Sequence, residues 1–103
     1  MTTKQFRKVY DEGAKFTGPL FTAFCLREAG GAGPRVGLTV PRALGCAVIR
    51  NRIKRRMREA VRQSRARASA SWQIVINPRR RTLTAPFAEI VSEVNNLFDR
   101  CVN

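Results

Sequence analysis

Arg50-Asn51-Arg52-Ile53-Lys54-Arg55-Arg56-Met57-Arg58-Glu59-Ala60-Val61-Arg62 is the stretch on which the reading of this chain turns. Seven of its thirteen residues are basic and one is acidic. Most are strong helix formers. At about 100° per residue, Cys46, Ile49, Ile53, Met57, Ala60 and Val61 fall on one side, and Asn51, Lys54, Arg55, Arg58, Arg62 and Arg65 on the other. Arg52 and Arg56 lie on one flank and Arg50 on the opposite one. The spacing predicts a helix from about Cys46 to about Arg67, with one wall buried in a core and the other presented as a positive ridge. Charge this dense repels itself unless a polyanion neutralises it. A partner carrying many phosphates is implied.

Upstream, Thr2 to Gly13 reads as a short helix: Thr2 and Gln5 have capping-box spacing, Phe6, Val9 and Tyr10 form an apolar stripe, and Gly13 can end it. Ala14 to Thr17 is a short strand closed by Gly18-Pro19. Leu20 to Arg27 alternates, with Phe21, Ala23 and Cys25 on one face and Thr22, Phe24 and Leu26 on the other. Glu28 to Pro34 is a Gly-rich loop, after which Arg35 to Val40 returns as a strand; the pair is expected to form an antiparallel hairpin.

Downstream, Ser69 to Ser71 mark a loop, and Trp72 to Ile76 form an apolar strand ended by Asn77-Pro78. Arg79, Arg80 and Arg81 make a second basic cluster in the following loop. Thr84 is expected to cap a last helix with Pro86 in its first turn, whose inner face is Phe87, Ile90, Val91, Val94, Leu97, Phe98 and Cys101. The order is αβββαβα in a single domain spanning residues 1–103, with no internal repeat.

Lys plus Arg number 20 against 7 Asp plus Glu, a net charge of +13 in 103 residues. Nucleic acid is the first partner this implies, an anionic membrane surface the second. The basic helix has no Trp or Phe on its apolar face, and that face is needed by the core, which argues against membrane binding. A merely solubilising helix would interleave Glu with Lys at i,i+4, whereas Glu59 alone answers this run. Cys25, Cys46 and Cys101 are widely spaced and no His is present, so neither a disulfide framework nor a zinc site is indicated. No signal-type apolar run or membrane span is visible, and a cytoplasmic protein is expected.

Catalytic chemistry finds little support. Without His, no acid–base partner stands beside a Ser or Cys nucleophile, and a metal-dependent nuclease needs convergent carboxylates. Glu89 and Glu93 sit one turn apart and read as solvated surface on the outside of the last helix. Phe6, Tyr10 and Phe24 carry two readings. Aromatics at such spacing pack in cores, yet in a basic protein, rings exposed in a groove stack on unpaired bases.

Arg50-Asn51-Arg52-Ile53-Lys54-Arg55 with Arg58-Glu59, preceded by Arg35-Val36-Gly37-Leu38-Thr39-Val40 and Gly45, resembles the bacterial ribonuclease P protein family. Phe6-Arg7-Lys8-Val9-Tyr10 with Gly13, and Phe21 to Leu26, match its N-terminal half, so the resemblance spans nearly the whole chain. It implies an α/β (α+β) two-layer sandwich, a four-stranded sheet with flanking helices and a left-handed βαβ crossover around the basic helix. It also implies an accessory, non-catalytic subunit of an endoribonuclease whose RNA subunit removes the 5′ leader of precursor tRNA. By residue, it implies RNA binding at Arg50, Asn51, Arg52, Lys54, Arg55, Arg58 and Arg62, and a leader-binding cleft at Phe6, Tyr10 and Phe24. The ribonuclease P RNA subunit and precursor tRNA would be the partners, with Mg2+ held mainly by RNA, no metal ligands in the chain and no small-molecule substrate. The chain departs from the family at Cys46, where Asn is frequent, and at Asn77-Pro78-Arg79, where Arg-Pro is common. The competing readings are a small ribosomal-type or general RNA-binding protein without a processing role, and a protein-only nuclease.

Overall fold

A computed structural model describes residues 3–27, 35–64 and 72–102. The elements are α1 (Thr3–Glu12), β1 (Ala14–Thr17), β2 (Phe21–Arg27), β3 (Arg35–Leu38), α2 (Ala47–Ser64), β4 (Trp72–Pro78) and α3 (Phe87–Leu97). This is the expected αβββαβα order. Short 3-10 turns at Arg42–Leu44 and Arg80–Leu83 precede α2 and α3, and a π-helical turn, Phe98–Val102, follows α3. The expected loops at Glu28 to Pro34 and Ser69 to Ser71, the Thr2 cap, Arg65 and the side chain of Cys101 lie outside the described residues.

The four strands form one mixed sheet in the order β1-β2-β4-β3. β1 pairs antiparallel with β2 and β2 with β4, whereas β3 pairs parallel with β4, Val36 opposite Ile74 and Leu38 opposite Ile76. The expected β2–β3 hairpin is therefore absent: β4 lies between them. Parallel neighbours need a long crossover, and α2 supplies it. β4 takes the centre because Gln73, Ile74, Val75 and Ile76 are all buried, the pattern of a strand covered on both faces.

α2 and α3 pack together over one face of the sheet. Their core joins Ile53, Met57 and Ala60 to Phe21, Ala23, Cys25, Ile74 and Ile76, and to Ile90, Val94, Leu97 and Phe98. The inner wall anticipated for the basic helix is thus the one buried, with one exception. Cys46 is exposed, because the helix starts at Ala47 and its periodicity does not extend back to Cys46. α1 lies across β2 and β4 on the opposite face, where Val9 and Val75 are fully buried.

Three local expectations need correction. β4 runs through Asn77 and Pro78, with Pro78 opposite Phe21, and Arg79 N donates to Leu20 O at 2.8 Å, so one missing proline donor does not end the ladder. Thr84 closes the preceding 3-10 turn instead of capping α3; Pro86 is the N-cap, and its carbonyl accepts from Glu89 N at 3.0 Å. Glu93 is buried, not solvated. Its carboxylate accepts from Leu20 N at 3.1 and 3.3 Å, because the β1–β2 turn folds over α3. A Cβ at Gly18 would overlap that carboxylate. Gly45, at φ 143°, adopts a backbone conformation that L side chains rarely take, and it turns the chain into α2.

Candidate nucleic-acid interface

The outer wall of α2 begins immediately after Gly45. Asn51, Arg55, Arg58 and Arg62 are exposed along it; Lys54, expected on this wall, is half-buried like the flanking Arg50, while Arg52, expected on a flank, is exposed. The ridge is continuous over three turns, as the phase required. Its members are not equivalent. Arg62 pairs with Glu59, which also accepts from Gln63 Nε2 at 3.3 Å. Hydrogen bonds from Arg62 and then Gln63 hold the Glu59 carboxyl down at about 2. Arg50 Nε is buried without a hydrogen-bond partner. Asn51, Arg55 and Arg58 thus form the open centre of the ridge.

Arg56 is set apart by its position. It donates to Leu83 O at 2.7 Å and also to Ala85 O. These bonds tie α2 to the segment leading into α3, so this cation serves the fold. Cys46, at the entrance of α2, has its thiol held below the ordinary range, chiefly by backbone N–H groups of Ile49 and Val48.

The aromatic residues lie on the other face of the sheet. Phe24 alternates with the buried Ala23 and Cys25 and so points away from the main core. Tyr10, 36% exposed, meets it edge-on with ring centroids 4.8 Å apart. Phe6 is half-buried one turn earlier in α1. Lys15 Nζ stands 6.0 Å from the centroid of the Phe24 ring, at the outer limit of a cation–π contact. The rings are neither core nor fully free. Tyr10 and Phe24 form a half-open apolar patch edged by the positive charge of Lys15.

A polar row behind Tyr10 was not legible in the sequence. Tyr10 Oη donates to Asn77 Oδ1 at 2.8 Å and lies 3.2 Å from Thr39 Oγ1, which itself bonds Asn77 Oδ1. The row exists because Thr39 N donates to Ile76 O at 3.0 Å, extending the β3–β4 pairing. With β3 placed beside β2, Thr39 would have been elsewhere. Asn77 in turn sits opposite Thr22, whose hydroxyl accepts from Arg79 Nη2 at 3.4 Å.

Comparison with known proteins bears on this arrangement. The family model for ribonuclease P matches residues 1–102. The chain belongs to the ribonuclease P protein family. It is 39% identical over 95 residues to the ribonuclease P protein component of Symbiobacterium thermophilum, covering 92% of this chain and 83% of that one. The Chloroflexus aurantiacus protein component is 37% identical over 95 residues, covering 91% and 70%. Among solved structures, ribonuclease P protein from Thermotoga maritima superposes with a TM-score of 0.82 at 26% identity, covering 92% of this chain and 89% of that one. The Staphylococcus aureus protein has the same fold, with a TM-score of 0.83 at 22% identity over 100% and 95% of the two chains. The chain is thus a protein subunit of ribonuclease P, the RNA-based endoribonuclease of tRNA 5′ maturation. No helix among the described residues is long and apolar enough to cross a membrane.

Proposed function

We propose that this ribonuclease P subunit grips the RNA subunit with the outer wall of α2 and holds the 5′ leader of precursor tRNA on the Tyr10–Phe24 face. The observation that carries this is the position of the two surfaces on opposite sides of the sheet. The arginine ridge stands on the α2–α3 layer, and the half-open rings, from α1 and β2, lie on the other face. A protein built this way bridges two nucleic-acid elements at once.

The chemistry of each surface suits its partner. Guanidinium groups bond phosphates in pairs and relieve the mutual repulsion of a folded RNA. Rings stack on unpaired bases, each worth about 1–3 kcal/mol by alanine substitution. Leader binding adds affinity for precursor over mature product, which lacks the leader and leaves more readily. Chemistry at the scissile phosphodiester is assigned to the RNA subunit. Mg2+ is assigned to the partner RNA, whose phosphates are hard oxygen ligands suited to it.

Reconstitution tests the proposal. The chain is mixed with a bacterial ribonuclease P RNA and precursor tRNA at low magnesium, and 5′ cleavage is measured. Stimulation of cleavage is expected, with Tyr10→Ala weakening precursor binding more than mature tRNA binding. Absence of stimulation would favour a general RNA-binding role, and cleavage by the chain alone would make it a nuclease. Equal losses for both tRNAs would make the rings part of the core.

A further inference from the structure

The groove between the β1–β2 turn and α3 contains no residue of the α2 ridge or of the ring patch. Its volume is about 600 Å³, within the range of small-molecule sites. Phe16 and Leu20 give it an apolar wall. Glu89, Glu93, Asn96 and Arg100, three and four residues apart along α3 and the turn after it, give it a polar one. Arg81 lines it from the 3-10 turn that precedes α3.

Glu93 is the buried member of this wall. It is 6% exposed, and Gly18 lies so close that a Cβ there would overlap the carboxylate. Among the described residues its donor is Leu20 N, one N–H shared between two oxygens at 3.1 and 3.3 Å. A carboxylate has about four acceptor positions, so most of this one's capacity is unmet. Arg79 and Arg81 act on it through charge and favour its ionised form, against the effect of burial. A ligand with two adjacent N–H donors would satisfy Glu93. The exposed Arg81, close enough to be felt by Glu93, presents a fork of donors suited to two adjacent acceptors.

Guanine carries both patterns on one ring. N1–H and the N2 amino group are donors side by side, and O6 and N7 are the acceptors of the next edge. Adenine has an acceptor at N1, which a carboxylate would repel. Arg100 follows Glu93 by two turns, roughly 10 Å along the axis, with its guanidinium carbon 6.0 Å from the centroid of the Phe16 ring. It sets a cation a nucleotide's span away from the Glu93–Arg81 pair.

We propose that this groove is a guanine-nucleotide site, in which Glu93 accepts from N1–H and the N2 amino group, Arg81 donates to O6 and N7, and Arg100 meets the phosphate. The net charge of +13 draws the nucleotide anion in, and the acid–base pair selects the base. Because the groove shares no residue with either RNA surface, filling it does not require RNA to leave.

The test titrates the full chain by calorimetry with GMP, AMP, guanosine and xanthosine monophosphate, in salt that mutes binding of any anion to the ridge. GMP is expected to bind at least about ten-fold more tightly than AMP, the discrimination that a bidentate base contact gives. Arg100→Gln should weaken GMP several-fold and leave guanosine unchanged. Glu93→Gln should exchange the preference for GMP to one for xanthosine monophosphate, since its Oε1 accepts from N1–H and its amide donates to the O2 that xanthine adds. Thermal melting checks the fold. If Glu93→Gln does not fold, Arg81→Gln serves, with a lower GMP-to-AMP ratio expected. Equal affinity for GMP and AMP, or binding of neither, overturns the site. A Glu93→Gln variant that still prefers GMP, or an Arg81→Gln variant with an unchanged ratio, does the same. The pentaribonucleotides UUGUU and UUUUU distinguish a free nucleotide from a guanine within RNA. A preference for UUGUU that Glu93→Gln removes, with GMP unbound, overturns the nucleotide site and gives the groove to RNA.

Discussion

Arg55 and Arg56 are adjacent in α2 and carry the same charge, but a rotation of about 100° sends them into different surroundings. Arg55 is exposed on the ridge, whereas Arg56 holds two backbone carbonyls of the segment before α3. Replacing Arg56 by Ala strands those carbonyls, and the loss of charged hydrogen bonds is expected to cost about 1–3 kcal/mol in urea unfolding. Arg55→Ala should change stability by less than about 0.5 kcal/mol. It should also flatten the log–log salt dependence of RNA binding by roughly 0.7–0.9 for each phosphate that Arg55 neutralises. The reverse pattern would exchange their roles. Glu93 offers a second residue-scale test. Burial raises its carboxyl above the ordinary value, opposed by the Leu20 N–H and by Arg79 and Arg81. A carboxyl raised in the folded state stabilises fully below its unfolded value, and that contribution is lost as pH rises through the folded one. Glu93→Gln keeps an oxygen for Leu20 N and removes the ionisation. The variant should melt higher than the parent near neutral pH, and the gap should close as pH falls toward about 4. A gap constant with pH would mean that Glu93 acts through shape alone.

At the scale of elements, α2 carries two duties on opposite walls, and they can be separated. Ile53, Met57 and Ala60 have no exposed surface, so Met57→Ala is expected to cost about 2–5 kcal/mol. At a temperature where the variant stays folded, the salt slope of RNA binding should be retained. A changed slope would show that the ridge depends on core packing for its geometry. This division was legible in the sequence because it is local: apolar and basic residues at helical spacing need only the 3.6-residue repeat to be sorted. The two faces of β2 were legible for the same reason, from alternation. What escaped was non-local. Consecutive strands default to hairpins, and nothing near Arg35 announces that β4 will come between β2 and β3. Thr39 therefore could not be placed against Asn77 and Tyr10. Glu93 lies about 60° from Ile90 on the α3 wheel, at the margin of the core. The turn at Gly18 to Leu20, far away in sequence, decides that it is buried. Family resemblance added the expectation of rings in a cleft, which periodicity alone left undecided against core packing.

For the molecule as a whole, charge is the governing quantity. A net charge of +13 sits on a chain whose radius of gyration is 12.9 Å. The Debye length is about 30 Å at 0.01 M ionic strength and about 8 Å at 0.15 M. In dilute buffer every cation on the ridge therefore feels Arg79 to Arg81 and α1, while at higher salt it feels chiefly its neighbours one turn away. Folding gathers these charges, and unfolding disperses them, so repulsion destabilises the free protein. Raising sodium chloride across that range should raise the melting temperature followed by circular dichroism. Sulfate at equal ionic strength should raise it further, since an oxyanion bound by paired guanidinium groups adds binding free energy to screening. The same reasoning makes the RNA partner a stabilising ligand, its phosphates replacing the salt. A melting temperature indifferent to salt would mean that the positive surfaces are spaced widely enough not to interact. The ridge and the ring face would then have to bind RNA independently, without the gain in fold stability that neutralisation of a common charge confers.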